Sequence, residues 1–119
     1  MTEQDRDRQR LAHILTYCEK IRIAAEVFRD NREIFLDSKN YQVRDVCSFY
    51  ILQIGELVRG LSDPFKTLHN EIPWKQIRGM RNVVVHNYGE IDLDTLWDVL
   101  TNDIPRLQEA CKKIYKAEN

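Results

Sequence analysis

The chain has few residues that interrupt helices, and it has no long apolar run. Its 119 residues include 4 glycines and 3 prolines, a composition that argues against a disordered or loop-rich chain. No apolar stretch approaches the about 20 residues that a transmembrane helix needs. Residues 1–9 are too charged to form a secretory signal. We therefore expect a single domain over residues 1–119, located in the cytoplasm and without membrane contact.

Cysteines are also scarce. Cys18, Cys47 and Cys111 are odd in number, far apart and without a CxxC pair. They fit neither a disulfide framework nor a zinc site. We interpret them as reduced thiols in the core.

The chain lacks the basic excess that is usual in general nucleic-acid binders. Its formal net charge is -1, so any contact with RNA must be local. The most cationic stretch in the middle of the chain holds Lys66, Lys75, Arg78 and Arg81 against the single acid Glu71. Solvated helix faces produce such runs about as often as binding sites do. We assign Arg78 a supporting role beside Arg81.

Apolar residues recur at three- and four-residue steps, which predicts amphipathic helices. One stripe runs from Leu11 to Phe28, and a longer one predicts a helix from about Tyr41 to Leu61. Further stripes predict a helix from about Pro73 to Asn87, ended by Gly89, and a last one from Leu93 to Ile114. The predicted fold is all-α, an antiparallel bundle of four main helices plus short helical turns.

Local signals refine this bundle. A short helical turn is expected within residues 31–40, and Ser62-Asp63-Pro64 is typical of a helix start. Pro105 predicts a kink near residues 101–104, because proline removes a backbone donor and clashes with the preceding turn. Gly55 lies inside the second long helix at a cost of about 1 kcal/mol relative to alanine. We interpret it as a close approach of another helix, with a ligand as the alternative.

Several titratable residues receive structural assignments. Glu90, Asp92 and Asp94 could be metal ligands, but their place at the start of a helix favours capping and compensation of the helix dipole. His13 and His69 are expected at the surface. We expect neither a metal nor a cofactor.

The segment from Arg81 to Tyr88 has the composition of a site for phosphate ester chemistry. Arg81 brings forked donors suited to phosphate, His86 can exchange protons near neutral pH, and Tyr88 adds a hydroxyl. On an ideal helix Arg81 and Tyr88 share a face, whereas His86 lies about 140° round from Arg81. Asn82, one turn before His86, could orient the imidazole. Spacing alone favours the alternative that these residues cap and pack a helix end.

The spacing of this segment resembles the R-x4-H-x-Y motif of the HEPN superfamily, in particular its HepT-like ribonuclease toxins. The resemblance spans the chain. The other patches that carry it are Ile54-Gly55-Glu56, Ile72-Pro73-Trp74, Gly79-Met80-Arg81-Asn82, and Ile91-Asp92-Leu93 with Trp97.

The resemblance implies a HEPN-like homodimer in which motif residues of both protomers line one cleft and cut RNA without a metal. Arg81 and His86 would be the catalytic residues of this endoribonuclease. For attack by the RNA 2′-hydroxyl, they would supply proton transfer and charge stabilisation at the phosphate.

The resemblance also implies a partner, a minimal nucleotidyltransferase antitoxin that adds AMP to the motif tyrosine, here Tyr88. Toxin and antitoxin could also form a larger complex. The alternative function is a non-catalytic nucleotide- or partner-binding module that serves a nucleotidyltransferase.

Overall fold

The computed structural model describes residues 1–84 and 92–117, and every regular element within them is helical. The all-α class predicted from the sequence is confirmed. Two 3-10 turns, Glu26–Phe28 and Ser38–Asn40, and a π-helical segment, Val99–Asp103, accompany the α-helices. The α-helices are α1 (Glu3–Ala25), α2 (Arg32–Leu36), α3 (Tyr41–Gly60), α4 (Asp63–Leu68), α5 (Trp74–Gly79), α6 (Arg81–Val84), α7 (Leu93–Asp98) and α8 (Ile104–Ala117).

Helices α1 and α3 run antiparallel. Near the start of α1, the buried carboxylate of Asp7 accepts hydrogen bonds from the backbone N–H and the hydroxyl of Ser62, at 2.8 and 2.5 Å. Ser62 lies just beyond the end of α3. Further along α1, the rings of Tyr17 and Tyr50 lie 5.7 Å apart. Residues later in α1 therefore contact residues earlier in α3, which is the pattern of antiparallel helices.

Helix α8 packs antiparallel to α1 as well. The Arg8 guanidinium lies 4.1 Å from the centre of the Tyr115 ring, and the Gln108 amide donates to the Glu19 carboxylate at 3.0 Å. Helix α1 thus lies between α3 and α8.

The apolar stripes predicted from the sequence form the core between these helices. Burying them removes apolar surface from water, which is the main favourable contribution to folding. The spacing of the stripe on α3 also includes Val46, but that residue is 42% exposed and lies outside the core. The buried stripe residues are Leu11, Ile14, Cys18 and Ile21 on α1, Cys47, Ile54 and Val58 on α3, and Ile104, Leu107, Cys111 and Ile114 on α8.

The predicted helix starts are confirmed where the structure describes them. The Ser62 hydroxyl accepts from the Phe65 N–H at 3.2 Å at the start of α4. The Asp92 carboxylate accepts from the Thr95 N–H, also at 3.2 Å, at the start of α7. These bonds satisfy backbone donors that a helix N-terminus otherwise leaves unpaired.

The predicted interruption before Pro105 takes the form of a π-helical segment. The Ile104 N–H bonds to the Val99 carbonyl, five residues back. Pro105 has no N–H to offer the Thr101 carbonyl, so the regular α pattern cannot continue across this point. The expected kink is thus a local widening of the helix that begins at Val99, two residues earlier than predicted.

Two expectations need correction. The predicted helix from Pro73 to Asn87 is interrupted at Met80, which lies between α5 and α6. The Met80 N–H bonds to the Ile77 carbonyl at 3.1 Å, a tight last turn, and the Met80 side chain is anchored in the core at 5% exposure. His69 is not a surface residue, because its side chain is only 16% exposed and its ring lies 4.6 Å from that of Phe65.

Across residues 1–84 and 92–117, no helix is both long and apolar enough to cross a bilayer. The predicted end of the motif helix at Gly89 lies outside the described residues.

The three cysteines are free thiols with 0% exposure, as predicted. Burial raises the pKa of Cys18, Cys47 and Cys111 to about 12, because an apolar environment disfavours the charged thiolate.

The raised thiol pKa values predict that stability falls at alkaline pH. In the unfolded chain these thiols ionise near pH 8.5, so between about pH 8.5 and the folded pKa the unfolded state binds fewer protons. The stabilising contribution is complete below about pH 8.5 and is lost as pH rises. Urea unfolding should show this decline between about pH 8 and about pH 10. The decline should be less steep for Cys47→Ala, and equal slopes would contradict the buried thiol as its cause.

Candidate active site

The candidate site is built around Arg81, the first residue of α6. Helix α3 passes directly behind it at Gly55. A Cβ atom placed on Gly55 would lie 3.3 Å from the Cβ and 3.8 Å from the Cγ of Arg81, and 3.5 Å from the backbone carbonyl of Arg78. The predicted close approach at Gly55 is therefore helix packing, and the approaching backbone is that of the motif.

The neighbouring residue on α3, Glu56, reaches the other end of the Arg81 side chain. Glu56 Oε1 lies 2.9 Å from Arg81 Nη1, so the two side chains form an ion pair. The two side chains are 50% and 36% exposed. The pair thus lies at the surface, where a solvent-borne substrate can reach it.

A second cation lies near the same carboxylate. Glu56 Oε2 is 3.8 Å from Nη1 of Arg59, one turn further along α3. Two guanidinium groups and one carboxylate leave this cluster with a positive charge. Arg81 is the one member of this cluster that belongs to the predicted cationic stretch, and Arg59 and Glu56 come from α3.

The predicted supporting residues are both exposed. Arg78 lies on α5 and Asn82 on α6, and the Arg78 backbone faces Gly55 while its side chain is in solvent. His86 and Tyr88 lie outside the described residues. Their roles in catalysis and modification stay predictions.

The acidic residues that flank the motif on its C-terminal side have structural partners where they are described. Asp92 caps α7, as expected, and Asp94 forms an ion pair with Arg32. Glu90 lies outside the described residues. Within residues 1–84 and 92–117, no group of three or more His, Cys, Asp and Glu side chains is placed to hold a metal ion.

Glu56 is the residue whose contact the sequence reasoning did not anticipate. The sequence Gly55-Glu56 could have indicated such a contact. A glycine in mid-helix indicates a close neighbour, and an adjacent carboxylate can then reach a cation on that neighbour. What the sequence could not supply is the identity of that cation, because Glu56 and Arg81 are far apart in the chain.

Comparison with known proteins identifies the family. The model of the family described as "Ribonuclease HepT-like" matches residues 14–114, most of the chain. The chain therefore belongs to the HepT-like ribonuclease family, as the resemblance of its motif predicted. A search of solved structures gave no significant match.

The names of similar proteins agree with this assignment. The chain is 35% identical over 105 residues to a protein named "Probable ribonuclease HepT" from Thermococcus cleftensis, an alignment covering 84% of this chain and 94% of that protein. It is 37% identical to a "Gamma-glutamylcyclotransferase and putative RNase" from Methanocaldococcus jannaschii, covering 87% of this chain and 45% of the relative. It is 35% identical to a "Putative RNase" from Caldanaerobacter subterraneus, covering 55% and 58%. The chain spans about half the length of the last two.

The tight contact at Gly55 predicts that alanine substitutions at Gly55 and Gly79 change the free energy of unfolding by different amounts. Gly79→Ala adds a Cβ with no described atom within 4 Å, and because Gly79 is the last residue of α5 it should stabilise the chain by at most about 0.5 kcal/mol through reduced backbone entropy. Gly55→Ala lies in the interior of α3, where the full gain in helix propensity of about 1 kcal/mol applies, but its Cβ pushes against the Arg81 side chain at 3.3 Å. It should stabilise less or destabilise.

Urea unfolding of the two variants beside the wild type measures this difference. Stabilisation of Gly55→Ala by the full amount of about 1 kcal/mol expected at an interior helix position would show that α3 and α6 do not press together there.

Proposed function

We propose that this chain is a metal-independent endoribonuclease and the toxin of a toxin–antitoxin pair. Membership of the HepT-like ribonuclease family supports this function, as do the ribonuclease names of its relatives. The single observation that carries the proposal is Arg81. This motif cation is partly exposed and held at 2.9 Å by Glu56, which suits it to binding a phosphate from solvent.

The proposed reaction is attack of the RNA 2′-oxygen on the adjacent phosphorus. A bond from the 2′-oxygen to phosphorus forms as the bond to the 5′-oxygen breaks, which gives a 2′,3′-cyclic phosphate and a free 5′-hydroxyl. A base must take the 2′-proton and an acid must protonate the leaving oxygen. We assign proton transfer to His86 and stabilisation of the charge on the phosphate to Arg81.

A homodimer would supply both proton-transfer groups, because one histidine cannot readily act as base and acid in the same step. Exposed apolar residues on α3 are consistent with a second copy. Val46 and Phe49 are 42% and 53% exposed, and Phe49 lies two turns before Glu56 on about the same face of the helix. A dimer formed on this face would bring two copies of Arg81 near one interface. An active preparation with the solution mass of one chain would contradict this arrangement.

Substitution of the proposed catalytic residues should abolish RNA cleavage. Arg81→Ala and His86→Ala should each lower the cleavage rate by about 100-fold or more, the usual contribution of a general acid or base or of a charge-stabilising donor. Both variants should stay folded. Wild-type activity should survive EDTA, and its products should carry a 2′,3′-cyclic phosphate or the phosphate derived from it.

Lys39→Ala is the matched control, since it removes an exposed cation from the 3-10 turn Ser38–Asn40, at the opposite end of α3 from Glu56 and outside the predicted cationic stretch. It should change cleavage little. Strict dependence on added magnesium would contradict the mechanism. A folded wild-type chain that binds a nucleotidyltransferase but cuts no RNA would favour the non-catalytic binding module.

We propose that a minimal nucleotidyltransferase is the antitoxin and that it adds AMP to Tyr88. The added group carries negative charge and bulk, so it would pair with Arg81 and occupy the place of the RNA phosphate.

Coexpression with the proposed nucleotidyltransferase antitoxin should therefore add the mass of AMP to the wild type and none to Tyr88→Phe. The modified chain should not cut RNA. A mass shift on another residue, or equal neutralisation by a catalytically dead partner, would indicate inhibition through complex formation instead.

A further inference from the structure

We infer that Glu56 is a positioning residue for Arg81, and that it sets the direction of the guanidinium before RNA binds. This inference rests on the proposed ribonuclease function and deepens it. The observation behind it is that Arg81 is held at both ends by consecutive residues of α3. Gly55 faces its Cβ and Cγ, and Glu56 binds its Nη1.

The contact at the Cβ end of the side chain limits how far the Arg81 backbone can lie from α3. Gly55 allows the α6 backbone to approach until the Arg81 Cβ lies 3.3 Å from the place of a Cβ on α3. A larger residue would push α6 away. The glycine therefore fixes the distance between the motif backbone and the Glu56 carboxylate.

The contact at the tip limits where the guanidinium can point. An unrestrained arginine loses much rotamer freedom when it is fixed in one geometry. The 2.9 Å contact with Glu56 Oε1 imposes part of that order before the substrate arrives. A prealigned donor lowers the reorganisation needed in the transition state.

Because the pair is exposed, its main effect is to orient the Arg81 guanidinium and not to stabilise the fold. Ion pairs between exposed side chains contribute little to folding, and Glu56 and Arg81 are 50% and 36% exposed. The contact also does not consume the guanidinium, which has further N–H donors for a phosphate. Arg59, 3.8 Å from the second Glu56 oxygen, offsets the repulsion between that carboxylate and RNA.

The experiment compares Glu56→Ala and Glu56→Gln with the wild type, using a transcript that the wild type cuts. Single-turnover cleavage at saturating RNA separates the chemical step from binding, which is measured on the same RNA with its 2′-hydroxyls blocked. Glu56→Ala should lower the cleavage rate by about 10-fold or more, as misplacement of a catalytic group does. RNA affinity should stay equal or rise, because a negative charge is removed.

Glu56→Gln keeps an oxygen that can accept from Arg81 but loses the negative charge, and it should recover part of the lost rate. Glu26→Ala is the matched control. It breaks another exposed pair, with Arg22 Nη1 at 2.8 Å, far along the chain from the motif, and should cleave like the wild type. A purely structural role would instead lower the unfolding midpoint of Glu56→Ala and its rate together.

The Nε–H resonance of Arg81, assigned by its loss in Arg81→Lys, gives a readout that needs no activity. This resonance should show that the Arg81 side chain rotates slowly in the wild type and freely in Glu56→Ala. Wild-type or faster cleavage by Glu56→Ala, or an effect on RNA affinity alone, would overturn the positioning role. An inactive wild type would instead contradict the proposed function.

Discussion

The close approach of α3 and α6 at Gly55 is the contact on which the site depends. Without a side chain on Gly55, the motif backbone comes near enough for Glu56 to reach the Arg81 guanidinium at 2.9 Å. The antiparallel packing of α3 against α1 fixes the other side of α3, through the Asp7 carboxylate and the Ser62 cap. The position of the arginine is therefore tied to the core and not only to its own short helix.

This arrangement leaves an arginine partly exposed at the surface of a nearly neutral chain. A net charge of -1 gives no general attraction to RNA. The cluster of Glu56, Arg59 and Arg81 nonetheless carries a positive charge, since two arginines pair with one carboxylate. Recognition of RNA would then rest on a few oriented donors, as transition-state stabilisation requires, and not on the overall field of the protein.

The features that follow from local sequence were predictable, and those that depend on distant contacts were not. Helical periodicity, the caps at Ser62 and Asp92 and the need for a close neighbour at Gly55 are encoded within a few residues. The identity of that neighbour, the interruption at Met80 and the burial of His69 depend on packing between segments far apart in the chain. The motif itself was assigned by resemblance, because spacing alone favoured capping. The roles of His86 and Tyr88 stay predictions, since both lie outside the described residues.

The most direct test of the account removes one atom from the substrate. An RNA that the wild-type chain cuts is mapped to its cleaved bond, and the single 2′-hydroxyl at that bond is then replaced by hydrogen. Attack by that hydroxyl, with Arg81 stabilising the phosphate, predicts that cleavage at this bond is lost in EDTA while binding of the RNA is retained. Cleavage of the deoxy-substituted bond at an unchanged rate would contradict the account, because the attacking group would then come from elsewhere.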